Sequence, residues 1–452
     1  MSSDNGEVID SSARSILRVS LPMILSMLSI NLMFLIDRCI LAGYSINAMN
    51  AACISGNFVA MLTLFFIGLT GSAGVFVGQY NGSKQYEMLS APSWQMIYFS
   101  LSSAPLFFVL AYFSPYINML PDYFRKDGIE YQQALMYFAF FPSLRVAIST
   151  FFIGQGKTRI IAVTSLIGMI ANIGLDFALI YGVNGIIPSL GCQGAAIATN
   201  MSEFLQIMIL TSIFLSRKNV QKFKILEHCE LNLELFRGCC RIGLPMSLGH
   251  FITLFAWYII QTVISHSSVD ASTAYNVAMN LNMFFFFIAG SSGRSASAIC
   301  SNMIGREDLD SVRKTYKFFV KMSVAVGVFL AIPLISFPEG IINALSMLPD
   351  DISHLYPQIK TALGLVCVVI TLETLFQSTF GVLLAGGDVI FGIVADIACL
   401  WLIVAAPAVC LYFLNMLDSV VILFACMVLK AATASACVYS RYKSMKWYRK
   451  LI

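Results

Sequence analysis

The chain is 452 residues long, with 58% hydrophobic residues against 12% charged, and its mean hydropathy is +0.79. That is more apolar surface than a core of this length can hide, so a soluble multidomain protein is excluded and lipid must solvate most of the exterior. The net charge of +4 is too small for a nucleic-acid surface, and the cations cluster between apolar segments, where they report topology instead.

Residues 1–14 form a polar, acidic start without the basic and short apolar regions of a cleaved signal, so targeting is expected to fall to the first membrane helix. Segments of about 20 apolar residues span a bilayer as helices. Twelve such segments follow, at 15–41, 50–79, 90–117, 130–154, 158–183, 193–216, 236–266, 270–303, 314–340, 357–385, 388–414 and 417–441. The connections between them alternate in charge. One set holds 21 of the 28 Lys and Arg, from Arg14 and Arg18 through Lys84, Lys157 and Arg159 to Arg441 and Lys450. The other set mixes Arg125 and Lys126 with Asp122, Asp127 and Glu130, or carries Asp350 and Asp351. The positive-inside rule then places both termini in the cytoplasm.

An internal repeat organises these segments. Arg18 and Pro22 near the start of the first recur as Arg241 and Pro245 near the start of the seventh, an offset of 223 residues. The same offset, without a gap, carries Gln79 and Gly82 onto Asn302 and Gly305. Duplicated halves in a membrane chain point to a transporter with its site between or within them. The expected architecture is all-α, with twelve transmembrane helices in two pseudo-symmetric six-helix lobes. Residues 15–216 make the amino-terminal lobe and 236–441 the carboxy-terminal lobe. Residues 217–235 form a cytoplasmic linker, read as a short interfacial helix or a flexible tether, and 442–452 a basic cytoplasmic tail.

Motifs of soluble enzymes are missing. Gly154 to Thr158 ends like a phosphate-binding loop, but Phe151 stands where a glycine is needed and a helix precedes it rather than a strand. His228, His250, His266 and His354 show no ligand spacing, so no metal is expected from them. The twelve cysteines contain no C-x-x-C pair and fit reduced thiols in apolar segments. Gly68, Gly71 and Gly74 are read as a close-packing stripe on the second helix.

Ionisable residues inside spans are costly and need a reason to persist. Asp37 lies in the outer part of helix one, against Arg38 as an alternative interfacial anchor, and Asp176 at similar depth in helix five. Asn172 shares the Asp176 face at i,i+4. Two carboxylates and an amide suit a proton or a sodium ion. Glu373 lies in the middle of helix ten with Gln377 one turn on, and has no snorkelling route. Arg145 and Lys430 are expected to pair with carboxylates or line a vestibule, with Glu203 also intramembrane. Asp396 and Arg294 are expected near helix ends, snorkelling.

These motifs resemble the multidrug and toxic compound extrusion (MATE) family over nearly the whole chain. The likeness is carried by Leu21-Pro22 with Asp37 and Leu41-Ala42-Gly43, by Gln79 with Gly82, by Gly154-Gln155-Gly156-Lys157-Thr158-Arg159, and by Asn172 through Phe177. It continues through Gly194-Ala195-Ala196-Ile197-Ala198-Thr199 and Gly243-Leu244-Pro245. The resemblance implies two lobes in a V around a central cavity, exporting drug-like organic cations in exchange for H+ or Na+. It implies a monomer without cofactor in the bacterial inner membrane, with small organic molecules and the bilayer as its partners. It assigns Asp37, Asn172, Asp176 and, more loosely, Thr199 to the cation site, with Na+ at Asp37 and Asp176 as one occupant. It places Glu373, with Gln377, as a second-lobe coupling or substrate position, while Pro22 and Pro245 serve packing or hinge roles. Where many members carry a glutamate in helix seven, this chain has Thr253, with His250 nearby. Two other classes remain: a flippase for a lipid-linked precursor, which needs a cationic cavity, and a membrane-embedded enzyme, which needs a nucleophile and base.

Overall fold

In the computed structural model the described residues are 9–117, 122–183, 186–267, 269–336, 340, 355–414 and 420–452. Most of the acidic start, together with Asp350, Asp351 and His354, lies outside them. Twelve long helices are seen among the described residues. They are α1 (Ala13–Tyr44), α2 (Ile46–Gly82), α3 (Tyr86–Tyr116), α4 (Arg125–Gly154), α5 (Thr158–Ile180) and α6 (Gly191–Phe214), followed by α7 (Leu233–Ser265), α8 (Val269–Gly305), α9 (Leu309–Ser336), α10 (Tyr356–Ala385), α11 (Ile390–Phe413) and α12 (Val420–Lys443). Each coincides with one apolar segment of the sequence to within a few residues. Only an isolated bridge between Val183 and Ile187 departs from the all-helical pattern among the described residues.

Eleven of the helices are long and apolar enough to cross a membrane. The exception is α8, which is rich in serine. Ser291, Ser292, Ser295 and Ser301 are fully buried. Their hydroxyls donate to carbonyls one turn back, at Ile288, Ser291 and Ser297. A hydroxyl satisfied within its own helix costs little away from water, and its small size lets neighbouring helices approach. Polarity therefore marks α8 as internal: it packs on α1, α2 and α10.

The halves repeat each other's packing. In the first, α1 lies on α5, α5 on α6, and α4 on both α2 and α6; in the second, α8 and α12 flank α10 in the same way. The halves meet through α1 against α8 and α2 against α7, which exchange under the repeat. Separate hydrophobic clusters fill the outer part of each half, around Ile40, Leu41 and Ile180 in the first and around Tyr275, Val366 and Phe424 in the second.

Pro22 and Pro245 sit inside unbroken helices. A proline removes one intrahelical bond and pushes on the preceding turn. In α1 the Val19 carbonyl beside that defect accepts from the Thr158 hydroxyl at 2.9 Å, which ties α1 to the start of α5. The linker is held against the first half. A short helix, Arg217–Phe223, buries Phe223 against Phe151. The carbonyls of Ile225, Cys229 and Glu230 then accept from Trp94, Tyr98 and Gln95 of α3. This segment is docked on α3.

The glycine stripe of α2 divides its attention. Gly68 faces Ser247 of α7, whereas Gly71 and Gly74 face Val146 and Thr150 of α4.

Candidate functional site

Among the described residues, ionisable groups are buried inside both halves of the bundle. In the first half α1 supplies Asp37, α5 supplies Asn172 and Asp176, and α6 supplies Thr199. All four are buried, Asn172 and Asp176 completely. Asp37 and Asp176 come close enough for their carboxyls to bond one another, and the Thr199 hydroxyl reaches Asp37. The α1–α5 contact that brings them together is zipped lower down by the Ser26 and Ser165 hydroxyls, 2.7 Å apart.

The site is rich in acceptors and short of donors. Both Asp176 oxygens, Asp37 Oδ1 and both polar atoms of the Asn172 amide are buried with no bonded partner among the described residues. Thr199 spends its own proton on the Ala195 carbonyl at 3.1 Å. A buried, acceptor-only pair of carboxyl groups is uncompensated unless it shares a proton or holds a cation. Tyr131 of α4 lies within the field of both aspartates, packs on the cluster around Ile40, Leu41 and Ile180, and sets its ring against Gly56 of α2. Sequence reasoning did not single out Tyr131, because a tyrosine at the polar start of a helix carries no local signal.

The second cluster is an ion triad. Lys430 Nζ of α12 lies 2.7 Å from Glu373 Oε1 of α10 and 2.6 Å from Asp396 Oδ1 of α11. The ammonium also sits 5.7 Å from the Phe376 ring centroid. Asp396, expected to snorkel, is instead held in an ion pair by Lys430. Gln377, one turn beyond Glu373, is not drawn into the triad; its backbone instead packs against Gly293, where α10 and α8 cross closely. In the first half Arg145 Nε pairs with Glu203 Oε2 at 2.7 Å. The pairings expected of Arg145 and Lys430 are thus both present.

Arg294 also departs from the snorkelling expectation. It lies in the body of α8 and turns toward the other half, with Nη1 3.8 Å from the Met27 sulfur of α1. On α7, Thr253 stands one turn from His250, whose ring Nδ1 donates to the Met246 carbonyl at 2.7 Å.

Outside the spans, Asp308 caps the start of α9 by accepting from the Ser311 amide at 3.0 Å, and the Ser311 hydroxyl first and that amide second hold its carboxyl below the usual range.

The sequence profile of the MatE family matches residues 22–178 and again 245–410, the two matches starting at the prolines of the repeat. Among curated proteins, a probable multidrug resistance protein NorM of Mannheimia succiniciproducens is 25% identical over 65% of this chain and 64% of its own length. A multidrug resistance protein MdtK of Yersinia enterocolitica is 23% identical over 84% of this chain and 82% of its own. The chain thus spans a little under two thirds of the first relative and more of the second. A solved outward-facing multidrug resistance MATE transporter of the MOP superfamily superposes with a TM-score of 0.86 at 17% identity, covering 99% of both chains. A MOP superfamily transporter from Pyrococcus furiosus, whose description reports a binding pocket of reverse polarity, gives the same TM-score at 16% identity, covering 99% of this chain and 98% of its own. Two matches of one profile across most of the sequence, on a fold shared end to end with solved transporters, establish that the chain belongs to the MatE family.

Proposed function

We propose that this protein is a secondary active transporter, and not an enzyme, that exports drug-like, amphipathic and mainly cationic organic compounds in exchange for H+ or Na+. Asp37, Asn172, Asp176 and Thr199 form its coupling site. The observation that carries this reading is the Asp37–Asp176 pair, two adjacent buried carboxyl groups with Asp37 Oδ1 and both Asp176 oxygens unbonded among the described residues. Such a pair has an unmet need for one cation. It also lies on α1, a helix that meets the other lobe through α8, so loading it changes a helix that both lobes share. Ion and substrate then act on one equilibrium from opposite sides, which is what exchange requires.

The second-lobe carboxylates are a poorer coupling site, because Lys430 already supplies a counter-charge to Glu373 and Asp396 and leaves one net negative charge there, whereas Asp37 and Asp176 share no such cation. The flippase alternative asks for several cations facing the cavity. Arg145 is held by Glu203 and Lys430 by the triad, leaving Arg294 alone among the three cations weighed for that role. The protein works as a monomer in the bacterial inner membrane, with the arginine- and lysine-rich end of the bundle and both termini in the cytoplasm.

The test is gradient-driven efflux of a fluorescent organic cation from membrane vesicles, comparing wild type, Asp176→Asn and Glu373→Gln. Export abolished by Asp176→Asn and mildly reduced by Glu373→Gln is the expected result. The reverse order moves coupling to the second lobe, and no gradient-dependent export in wild type overturns the reading.

A further inference from the structure

Arg294, well inside α8, has no ion-pair partner among the described residues. Arg294 is exposed, although Gly293 and Ser295 on either side of it are buried. Its neighbours locate it: Met27 on α1, Arg145 on α4, close enough to repel it, and His250 on α7, which feels its charge. The first two belong to the amino-terminal lobe and the third to its own, so the guanidinium reaches into the space between lobes. Among the described residues no carboxylate bonds or ion-pairs with Arg294, and Arg145 is the one charged group that acts on it.

An arginine at this depth without a counter-charge is expensive to keep. Its planar fork of donors matches a carboxylate, and one guanidinium balances one negative charge. A diphosphate would need more cations, and the nearest, Arg145, is already bound to Glu203 at 2.7 Å. The surroundings suit an amphipathic molecule. The sulfur of Met27 offers adaptable apolar surface beside the charge. His250 commits Nδ1 to its own helix and keeps Nε2 for a second hydrogen bond.

We propose that Arg294 is a substrate-binding residue that pairs with a carboxylate on the transported molecule, so that the favoured substrates are amphipathic zwitterions rather than simple organic cations. This rests on the reading that the interlobe space holds an exported compound, and it narrows the class. A matched dye pair tests it: rhodamine B, which carries a carboxylate on a cationic ring system, and its ethyl ester, which keeps the cation and loses the carboxylate.

Equilibrium binding to the purified full-length protein is followed by fluorescence anisotropy for wild type, Arg294→Gln and Arg294→Lys. Gel filtration checks that each variant is monodisperse. Wild type is expected to prefer rhodamine B over the ester. Arg294→Gln should weaken rhodamine B roughly tenfold or more while sparing the ester, and Arg294→Lys should recover part of the loss. No preference in wild type, equal losses for both dyes, or no binding of either overturns the proposal. Efflux of the ester from vesicles reads the export function separately. Selective binding without efflux sinks export and keeps the carboxylate site, whereas efflux without any Arg294 dependence does the reverse.

Discussion

Gln79 and Asn302 make the same bond from opposite lobes. The Gln79 amide donates to the Ala385 carbonyl at the end of α10 at 2.8 Å, and the Asn302 amide donates to the Gly154 carbonyl at the end of α4 at 2.7 Å. Each acceptor precedes a turn whose glycine is left-handed, Gly387 at φ +78° and Gly156 at φ +72°. Each partner glycine of the repeat packs on the other copy, Gly82 against the Asn302 carbonyl and Gly305 against that of Gln79. The repeat therefore closes on itself about a pseudo-two-fold axis, and this closure seals the lobes together at their basic end. Both ends of the described chain join it. Leu451 donates its amide to Gln79 Oε1 at 2.7 Å, and Ile9 packs on Gly156 while its carbonyl accepts from Arg306.

This closure makes Gln79 a latch whose removal is measurable. Gln79→Ala deletes the bonds to Ala385 and Leu451, each worth about 1 kcal/mol net. Amide exchange at Leu451 and in the 385–388 turn is expected to quicken by roughly tenfold or more, with the α5–α6 core unchanged. Unaltered exchange at Leu451 would show that the seal does not depend on Gln79.

The glycines give a sharper contrast. A Cβ at Gly82 or Gly305 would overlap a backbone carbonyl of the other lobe, which no rotamer change relieves. Either Gly→Ala change should force the lobes apart and cost several kcal/mol, on the order of an overpacked core. Gly174 of α5 has no atom within 4 Å of its missing Cβ, so Gly174→Ala should gain up to about 1 kcal/mol from helix propensity. Thermal unfolding of the three variants in one detergent decides it, and a neutral Gly82→Ala would contradict the close crossing.

What the sequence made legible is what it encodes locally or repeats. Apolar length marked every helix, and the offset between Pro22 and Pro245 foretold the symmetry now seen at Gln79 and Asn302. The Asn172–Asp176 face was readable because i,i+4 spacing holds in any α-helix. The ion triad was not. Asp396 stands only two turns into α11, so depth alone suggested snorkelling, while Lys430 reaches it from another helix through packing that no spacing announces. Arg294 hid for a related reason: its significance is the counter-charge it lacks, and that is visible only once Arg145 and Lys430 are seen to be paired elsewhere.

The triad predicts an asymmetric response to mutation. Lys430→Met leaves Glu373 and Asp396 facing each other without their cation, and breaking a buried pair from one side costs about 3–5 kcal/mol. Neutralising all three, with Glu373→Gln and Asp396→Asn added to Lys430→Met, should restore most of that stability, because a well-packed neutral cluster has no charge to desolvate. Apparent Tm values of wild type, single and triple variants provide the measurement. A triple variant no better than Lys430→Met would mean the cost lies in lost packing of the lysine stem.

The proposed coupling site predicts a ligand effect on stability that needs no substrate. Asp37 and Asp176 sit together with Asp37 Oδ1 and both Asp176 oxygens unbonded among the described residues, so a bound cation would stabilise the folded state in proportion to its occupancy. At about one hundred times its dissociation constant, such a ligand contributes roughly 2.7 kcal/mol. Wild type should therefore show a rise in Tm either with Na+, against a choline control at equal ionic strength, or with acidification at fixed Na+. Whichever ion produces the rise, Asp37→Asn and Asp176→Asn should abolish it, since each leaves one carboxyl where two are needed. Glu373→Gln should leave it intact, because Lys430 already supplies the charge that Glu373 needs. If both aspartate variants keep the full shift, the ion binds elsewhere, and the two carboxyls of α1 and α5 are a structural pair rather than the coupling site.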